Sequence, residues 1–272
     1  MTVAPPSDVT SAQVAAVAAA GGVAVQPIGA VEQHGPHLPV TTDAIVAEAV
    51  AREAVAKLPA SVPAWLMPVL SLGLSPEHVG RPGTVSLSAS TLLMVCLDLG
   101  RAVKASGIDT LVFVNAHGGN PDLLRVVCRD IRVDSGVRAY LVHAPELPLP
   151  GSLTERMPHP ELDVHAGFYE TSVMLALEPG AVRLSEAVAD GFAVAPELDR
   201  RRHVSLFGGV SLPWFTDDLS ASGVIGDPTG ANAEWGRAAL DVQTTALAEA
   251  ITELAGFEYP PTGAATTGTM PA

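Results

Sequence analysis

Short apolar runs alternate with longer segments of helical spacing through the first half of the chain. Predicted strands cover residues 22–31, 65–72, 110–115 and 137–142. Predicted helices cover residues 8–20, 43–57, 88–106, a stretch that ends near 134, 166–177 and 229–255. Strands that alternate with helices favour an α/β fold, here a three-layer sandwich with a largely parallel central sheet flanked by helices. Such sheets carry their sites in the loops at the carboxyl ends of the strands.

The second half of the chain has weaker periodicity. Residues 145–164 are rich in proline, which predicts a surface loop or a lid. Residues 180–225, which include an exposed-looking Trp214, predict either a subunit interface or a pocket wall. Asp227 is followed by proline and predicts the cap of the last helix.

The composition fits one sizeable domain. Of 272 residues 48% are hydrophobic, so we expect a single domain at 1–260, followed by a disordered tail at 261–272. The formal net charge of -14 argues against nucleic acid or an anionic membrane as a partner. Cys96 and Cys128 lie in apolar segments and are expected to be free thiols. With no basic leader and no apolar run of about 20 residues, we expect a cytoplasmic protein.

Residues that can bind a metal follow the predicted strands. Glu32, His34 and Asp43 come after the first strand, and His117 comes after the third. A last group, Asp163, His165 and Glu170, lies around the start of the helix at 166–177. Acids and histidines are costly beside a core unless they are paired or bind a metal. This mixture of nitrogen and oxygen ligands therefore indicates a divalent metal site.

Each of these residues also has a simpler explanation. A histidine at a strand end is commonly a hydrogen-bonded core residue, and Glu170 could be a surface acid of its helix. Glu32 could also pair with His34. The convergence of several acids and histidines at successive strand ends favours the metal over these separate explanations. For His37 a structural role in closing the loop is favoured over a role in orienting a ligand.

Three ordered motifs resemble the creatininase family of metal-dependent amidohydrolases. They are Gly29-Ala30-Val31-Glu32-Gln33-His34-Gly35-Pro36-His37-Leu38-Pro39 with Thr42-Asp43, then Asn115-Ala116-His117-Gly118-Gly119-Asn120, then His165-Ala166-Gly167 with Glu170-Thr171-Ser172. The resemblance spans residues 22–255 and implies the family's fold and a pair of divalent ions, zinc, manganese or iron. In that pattern Asp43 bridges the two ions. Glu32 and His117 bind one ion, and His34 binds the other.

One position departs from creatininase itself. That enzyme has an acidic ligand two residues after the histidine that matches His117, where this chain has Gly119. The departure argues against creatinine as the substrate and leaves the second ion short of a ligand. Glu170 is the candidate for this vacancy, a hypothesis that rests on its place in the third motif.

The resemblance also implies a mechanism and a pocket. A metal-activated water attacks the amide carbonyl, and a histidine that titrates near neutral pH protonates the leaving nitrogen. We expect His165 to be this acid, with Glu170 as the rival if it does not bind metal. The expected substrate-binding residues are Glu77, His78, Gly118 and Gly119.

The sequence predicts the substrate only by class. The leading expectation is hydrolysis of a carbon–nitrogen bond in an amide other than creatinine and other than an ordinary peptide bond. One alternative is a peptidase like those of mycofactocin maturation, which the third motif and Gly223-Val224-Ile225-Gly226-Asp227-Pro228-Thr229 resemble. A second alternative is a metal-binding scaffold without catalysis. The expected partners are a small amide or short peptide and further copies of the chain, a hexamer being one option.

Overall fold

The computed structural model describes residues 8–206, 209–210 and 212–259. The strands are β1 (Val23–Ile28), β2 (Ala64–Leu66), β3 (Thr110–Asn115) and β4 (Arg138–His143). The helices are α1 (Ser11–Ala19), α2 (Thr42–Lys57), α3 (Ala89–Ala105), α4 (Pro121–Ser135), α5 (Gly151–Thr154), α6 (Phe168–Leu177), α7 (Ala195–Asp199), α8 (Thr216–Leu219) and α9 (Ala233–Gly256). Helices and strands alternate from α1 to β4, as the apolar pattern predicts.

The four strands form one parallel sheet in the order β2-β1-β3-β4. Ile28 at the end of β1 is in register with Asn115 at the end of β3, and Asn115 is in register with His143 at the end of β4. The carboxyl ends of these strands therefore share one edge of the sheet. The loops that leave β1 and β3 are direct neighbours there.

Successive side chains of the strands point to opposite faces of the sheet and fill two separate cores. Val23 and Val25 of β1 pack into the core shared with α2, α6 and α9. Ala24 and Ile28 pack into the core shared with α3 and α4. Because each face has its own helical layer, the predicted three-layer sandwich is confirmed.

The strand predicted at 65–72 is shorter in the structure. Pro68 has no N–H to contribute to a ladder, and regular pairing ends at Leu66. The Met67 N–H still donates to the carbonyl of Val25 at 2.9 Å, and beyond Pro68 the Leu70 N–H donates to the carbonyl of Pro27 at 2.9 Å.

The last helix begins at Ala233, four residues later than predicted, and its cap is Asn232. The Asn232 side chain accepts the N–H of Trp235 at 2.9 Å. Asp227 instead accepts the N–H of Thr229 at 3.0 Å and caps a single 3-10 turn. The predicted cap was wrong because the backbone of Asn232 is extended, with φ -152° and ψ 151°, and separates that turn from the helix.

Apart from α6, the segment between β4 and α9 consists of short helices and turns, some of which surround a small apolar cluster. Leu162, Leu206, Leu219 and Ile225 form this cluster away from the two main cores. Its residues come from distant parts of the segment, which explains why local periodicity did not reveal it.

Three further predictions concern the whole chain. No helix within the described residues is long and apolar enough to cross a membrane. The expected tail at 261–272 lies outside the described residues, and the single domain at 1–260 stays a prediction.

Candidate metal centre

The residues predicted as metal ligands meet at the carboxyl edge of the sheet. Glu32 and His34 lie after β1, Asp43 lies in the first turn of α2, and His117 follows β3. Glu170 joins them from the first turn of α6. Its side chain is 18% exposed, whereas the other four are at most 3% exposed. The fold thus brings all five predicted ligands into one buried cluster.

Asp43 stands between two imidazoles. Its Oδ1 atom lies 3.2 Å from His34 Nε2, and its Oδ2 atom lies 3.2 Å from His117 Nδ1. Burial would raise the pKa of the Asp43 carboxyl, but the adjacent His34 and His117 rings hold that pKa well below its usual range. The ionised carboxylate can therefore offer one oxygen to each side of the cluster.

Glu32 directs a single oxygen at three rings. Its Oε1 atom lies 3.3 Å from His117 Nδ1, 3.3 Å from His78 Nε2 and 3.7 Å from His165 Nδ1. Its backbone N–H donates to the carbonyl of Val40 at 2.9 Å, which fixes the loop after β1. Glu32 is therefore placed to share a cation with whichever of these rings is unprotonated on the facing nitrogen.

Backbone carbonyls set the tautomers of three histidines. A carbonyl oxygen can only accept a hydrogen bond, so the ring nitrogen that faces it must carry the hydrogen. His34 Nδ1 donates to the carbonyl of Glu32 at 3.1 Å. His117 Nε2 donates to the carbonyl of Leu74 at 2.9 Å, and His165 Nε2 donates to the carbonyl of Gln33 at 2.7 Å. In each neutral ring the other nitrogen then carries a lone pair that faces the cluster. Outer hydrogen bonds of this kind are usual for histidines that bind a metal.

Several buried polar atoms of the cluster make no well-aligned hydrogen bond among the described residues, although two of them lie 3.2 Å from an oppositely charged group. They include Glu32 Oε2, His34 Nε2 and Asp43 Oδ2. Leaving such atoms unpaired away from water costs about 1–3 kcal/mol each, and more when they are charged. A divalent cation would satisfy all three, so the residues present fit the metal that the sequence predicts.

The possible ligands fall into overlapping groups whose ligand atoms lie within 4.8 Å of one another. The groups are Glu32–Asp43–His117, His34–Asp43–Glu170 and Glu32–His34–His165. The first two share only Asp43, which contributes a different oxygen to each contact described above. This arrangement suits two cations that share one carboxylate.

The electrostatics of the cluster also favour a cation. Burial disfavours the charged form of His34, but Asp43, Glu170 and Glu32 outweigh this effect and raise the pKa of His34 to about 10. His117 behaves alike, since Glu32 and Asp43 raise its pKa well above the usual value against the effect of burial. Without a metal the cluster therefore attracts protons to the atoms that a metal would occupy.

Glu170 is held in the cluster by the loop that precedes α6. Its Oε2 atom accepts the N–H of Ala166 at 2.6 Å and lies 3.7 Å from His34 Nε2. Ala166 has a φ of 52°, a left-handed conformation that is uncommon without glycine and is concentrated at functional sites. Burial raises the pKa of the Glu170 carboxyl to about 7. Glu170 is thus not the surface acid that the simpler explanation supposed.

Asp163 and His37 have structural partners. Asp163 accepts the N–H groups of Phe168 at 2.6 Å and Tyr169 at 2.9 Å, so it caps the start of α6 instead of facing the candidate ligands. His37 Nε2 lies 2.8 Å from the hydroxyl of Thr171 on α6. Its contact joins the loop after β1 to α6, in agreement with the predicted structural role.

The two glycines after His117 have different surroundings. A Cβ added at Gly118 would meet no atom within 4 Å. A Cβ added at Gly119 would overlap the carbonyl oxygen of Leu74 and lie 2.5 Å from Glu77 Oε1 and 2.6 Å from His117 Nε2. No acidic side chain can therefore stand at position 119 in this backbone, and the carboxylate of Glu77 occupies the adjacent space.

The cluster opens through two connected cavities. The inner chamber has a volume of about 80 Å3 and is lined by Glu32, Glu77, His78, His117, Gly118, Val164, His165, Glu170 and Trp214. The outer cleft has a volume of about 650 Å3 and shares Glu77, Gly118, Val164, Glu170 and Trp214 with the chamber. Of the residues expected to bind substrate, Glu77, His78 and Gly118 line the chamber, whereas Gly119 lines only the cleft. Trp214 is a pocket wall, one of the two roles considered for it.

Sequence reasoning missed Gln33 and Thr216. The Gln33 amide nitrogen lies 3.2 Å from His78 Nδ1, 3.1 Å from His165 Nε2 and 3.2 Å from the carbonyl of Gly223. Thr216 donates to the carbonyl of Glu77 at 2.9 Å, and its hydroxyl lies 2.6 Å from His78 Nδ1. Gln33 carried a signal, a buried amide between two candidate ligands, whereas nothing local to Thr216 indicated this contact.

The fold and this cluster define an α/β amidohydrolase. The family model described as "Creatininase: Creatinine amidohydrolase" matches residues 7–251. The chain belongs to the creatininase family and is a hydrolase of amide carbon–nitrogen bonds.

Two named relatives illustrate the range of the family. The mycofactocin precursor peptide peptidase of Mycolicibacterium smegmatis is 36% identical over 212 residues, which cover 77% of this chain and 76% of the relative. The creatinine amidohydrolase of Pseudomonas putida is 29% identical over 264 residues, which cover 91% of this chain and 94% of the relative.

Solved structures agree with the fold. A putative creatinine amidohydrolase from Bacteroides fragilis superimposes with a TM-score of 0.75 and 25% identity, covering 88% of this chain and 92% of that one. A structure titled "Creatininase Mn" superimposes with a TM-score of 0.74 and 26% identity, and the match covers 91% of this chain and 96% of that one. A mutant creatininase of "Zn-Zn type" superimposes with a TM-score of 0.73 and 25% identity, and the match again covers 91% of this chain and 96% of that one. These titles and the His and carboxylate groups of this chain together point to a divalent metal.

Proposed function

We propose that this chain hydrolyses an amide bond of a short peptide with two divalent cations, drawn from zinc, manganese and iron. The observation that carries the metal assignment is the position of Asp43 in two ligand groups at once. Glu32 and His117 complete one group, and His34 and Glu170 complete the other. Glu170 thereby fills the vacancy that Gly119 creates in the creatininase pattern.

Bound divalent cations polarise a carbonyl and lower the pKa of water, which makes amide hydrolysis feasible near neutral pH. The chain's own residues would hold the site dry and rigid. The histidine rings are fixed by backbone carbonyls, and the chamber admits little more than the reacting group, because a water molecule alone takes up roughly 30 Å3.

The proton donor is a separate proposal. His165 stays the predicted acid, but its chamber-facing atom is Nδ1, and Nε2 donates to the carbonyl of Gln33. Burial and the neighbouring His34 and His78 rings lower the pKa of His165 well below the usual value. This geometry suits a ligand at least as well as an acid. In His165→Ala, intact metal content with lost turnover supports the acid, whereas lost metal supports the ligand.

The peptide assignment rests on two observations. The relative that is named as a peptidase is 36% identical, against 29% for the one named as a creatinine amidohydrolase. In addition, the outer cleft of about 650 Å3 adjoins the chamber and has the volume usual for sites that bury a drug-sized ligand, so it leaves room for residues beside the reacting amide. A small amide other than creatinine is the second candidate, and the chamber alone would suffice for it.

The test is hydrolysis by protein loaded separately with Zn²⁺, Mn²⁺ or Fe²⁺. The substrates are a library of N-acetylated pentapeptides, creatinine and a set of small linear and cyclic amides. We expect metal-dependent cleavage of peptides that a chelator abolishes. Turnover of small amides alone would favour the second candidate. No turnover with any metal would favour the non-catalytic scaffold.

The cellular context is proposed from the same family membership. We propose a cytoplasmic homo-oligomer, the hexamer included, without nucleic-acid or membrane partners. Mass measurement in solution at several protein concentrations tests the oligomer, and a monomer throughout would contradict it.

A further inference from the structure

Glu77 is the one carboxylate of the inner chamber that belongs to none of the ligand groups described above. Its Oε1 atom approaches the cluster only at His117 Nε2, at 3.6 Å. That ring N–H already donates to the carbonyl of Leu74 at 2.9 Å. Among the described residues no other side chain contacts the Glu77 carboxylate within hydrogen-bond distance. The backbone N–H of Glu77 itself donates to this carboxylate, and the remaining acceptor positions are available to a substrate.

The backbone that carries Glu77 is held from several sides. Leu74 donates its N–H to Asn120 Oδ1 at 2.9 Å, and the carbonyl of Glu77 accepts the hydroxyl of Thr216 at 2.9 Å. Ser75 is fully buried, and its N–H donates to Ser86 Oγ at 2.8 Å. Because these bonds come from separate parts of the chain, the position of the carboxylate is built into the fold.

Gly119 makes this position possible. Any Cβ there would lie 2.5 Å from Glu77 Oε1 and would overlap the carbonyl of Leu74. The Leu74 carbonyl thus keeps position 119 free of a side chain, and the Glu77 carboxylate lies in the space that this leaves. Gly118 beside it is exposed, with open space where a Cβ would be, so a substrate backbone can approach at that point.

Glu77 lies where the inner chamber joins the outer cleft, since it lines both. A substrate long enough to occupy the cleft must pass this carboxylate to place its amide in the chamber. Backbone N–H groups recur along a peptide, and an ionised carboxylate accepts strong hydrogen bonds from them. A small amide confined to the chamber does not extend from this junction into the cleft.

We infer that Glu77 is a specificity-determining residue that accepts a hydrogen bond from a backbone N–H of an extended peptide, next to the bond that is cut. The inference rests on the proposed peptide hydrolysis and adds the group that selects the substrate. It also gives Gly119 a function, which is to leave room for that group.

The experiment is a double-mutant cycle in which one change is made in the protein and the other in the substrate. A pentapeptide that the wild-type enzyme cleaves is resynthesised with one backbone N-methyl group at a time, which removes one N–H in each version. We expect one N-methylated version to lose about 10- to 100-fold in kcat/KM with the wild type, as for a hydrogen bond to a charged group. With Glu77→Ala the parent peptide should lose a similar factor, and that N-methyl group should cost little more.

Metal content and a matched variant separate this role from a structural one. Zinc or manganese stoichiometry should be unchanged in Glu77→Ala, and Glu249→Gln on the exposed face of α9 should behave as the wild type in every assay. Equal N-methyl penalties in the wild type and in Glu77→Ala would overturn the inference while leaving the proposed function intact. Absence of any peptide cleavage by the wild type would instead overturn the proposed function.

Discussion

His34 and Asp43 lie 3.2 Å apart, from Nε2 to Oδ1, in a place where both side chains are sealed from solvent. His34 comes from the loop after β1, and Asp43 comes from the first turn of α2. A pair so deeply buried is strongly destabilised when one partner is removed, since the other is left as an uncompensated charge. A change in either residue is therefore expected to affect both metal binding and the stability of the fold.

Asp43→Asn should reduce bound metal and abolish turnover. The amide keeps the shape of the side chain but removes the charge that the two ligand groups share, so we expect metal affinity to fall by at least about 100-fold. Titration calorimetry and metal analysis of the purified protein measure this effect. Asp241→Asn, a change at the exposed partner of Lys57, is the control. Full stoichiometry in Asp43→Asn would show that Asp43 does not bridge ions.

Glu170→Gln tests the fifth ligand. The amide can still accept the N–H of Ala166, so the loop should keep its fold while the charge facing His34 is lost. We expect the weaker of two metal-binding steps to be lost and the stronger one to persist. Two unchanged binding steps would rule out Glu170 as a ligand and restore it as a candidate acid.

The metal-free protein should lose stability as the pH rises above 7. The pKa of His34 is about 10 in the folded state against an ordinary 6.5. A group whose folded pKa is raised stabilises the fold fully below the ordinary pKa, and this contribution disappears as the pH rises through the folded pKa. Urea unfolding in a chelator at pH 7, 8 and 9.5 measures the decline.

The comparison with His34→Gln isolates this contribution. Glu170, with a raised pKa of about 7, is still losing its proton between pH 7 and 8, so the comparison rests on the decline from pH 8 to 9.5. Other groups that titrate at high pH are common to both proteins, so the difference between their slopes belongs to His34 and its partners. Parallel curves for wild type and variant would contradict the prediction.

Gly119→Ala and Gly118→Ala should differ sharply although the residues are adjacent. The new methyl group at 119 would overlap a backbone oxygen, whereas the one at 118 would meet nothing within 4 Å. We expect Gly119→Ala to lower the free energy of unfolding by about 1–3 kcal/mol or more, as overpacking does, and Gly118→Ala to change it little. Thermal unfolding measures both, and equal melting temperatures would show that the Leu74 backbone yields easily.

Asp163→Ala should destabilise the protein without removing metal. The change deletes the acceptor of two N–H groups at the start of α6, and loss of a helix cap costs about 0.5–2 kcal/mol. Asp163→Asn keeps a side-chain oxygen and should lose less. Reduced metal stoichiometry in a variant of unchanged stability would instead return Asp163 to the ligand set.

Local patterns were sufficient for most of the fold. The run at 110–115 is rich in β-branched residues and became β3 with the predicted bounds. Pro68 and Asn232 account for the two largest boundary shifts, at the end of β2 and at the start of α9. The two main cores follow from alternation along strands, so they too could be predicted.

The site was predictable where its residues are close together in sequence. Glu32, His34 and Asp43 lie within one motif, and their side chains do converge. Asp163 shows the limit of such reasoning, because a carboxylate that caps a helix and one that binds a metal look alike in sequence. The contact of Thr216 with His78 joins residues 138 apart, and only the folded chain reveals it.

The pairing of β1 with β3 has a consequence for assembly of the protein. The sheet brings together residues more than 80 positions apart, because Ile28 pairs with Asn115, and the candidate ligands after these strands meet only once that pairing exists. A cation that needs both loops can be captured only after these two strands have paired. The rate of metal uptake by a refolding sample would then report how fast β1 and β3 pair.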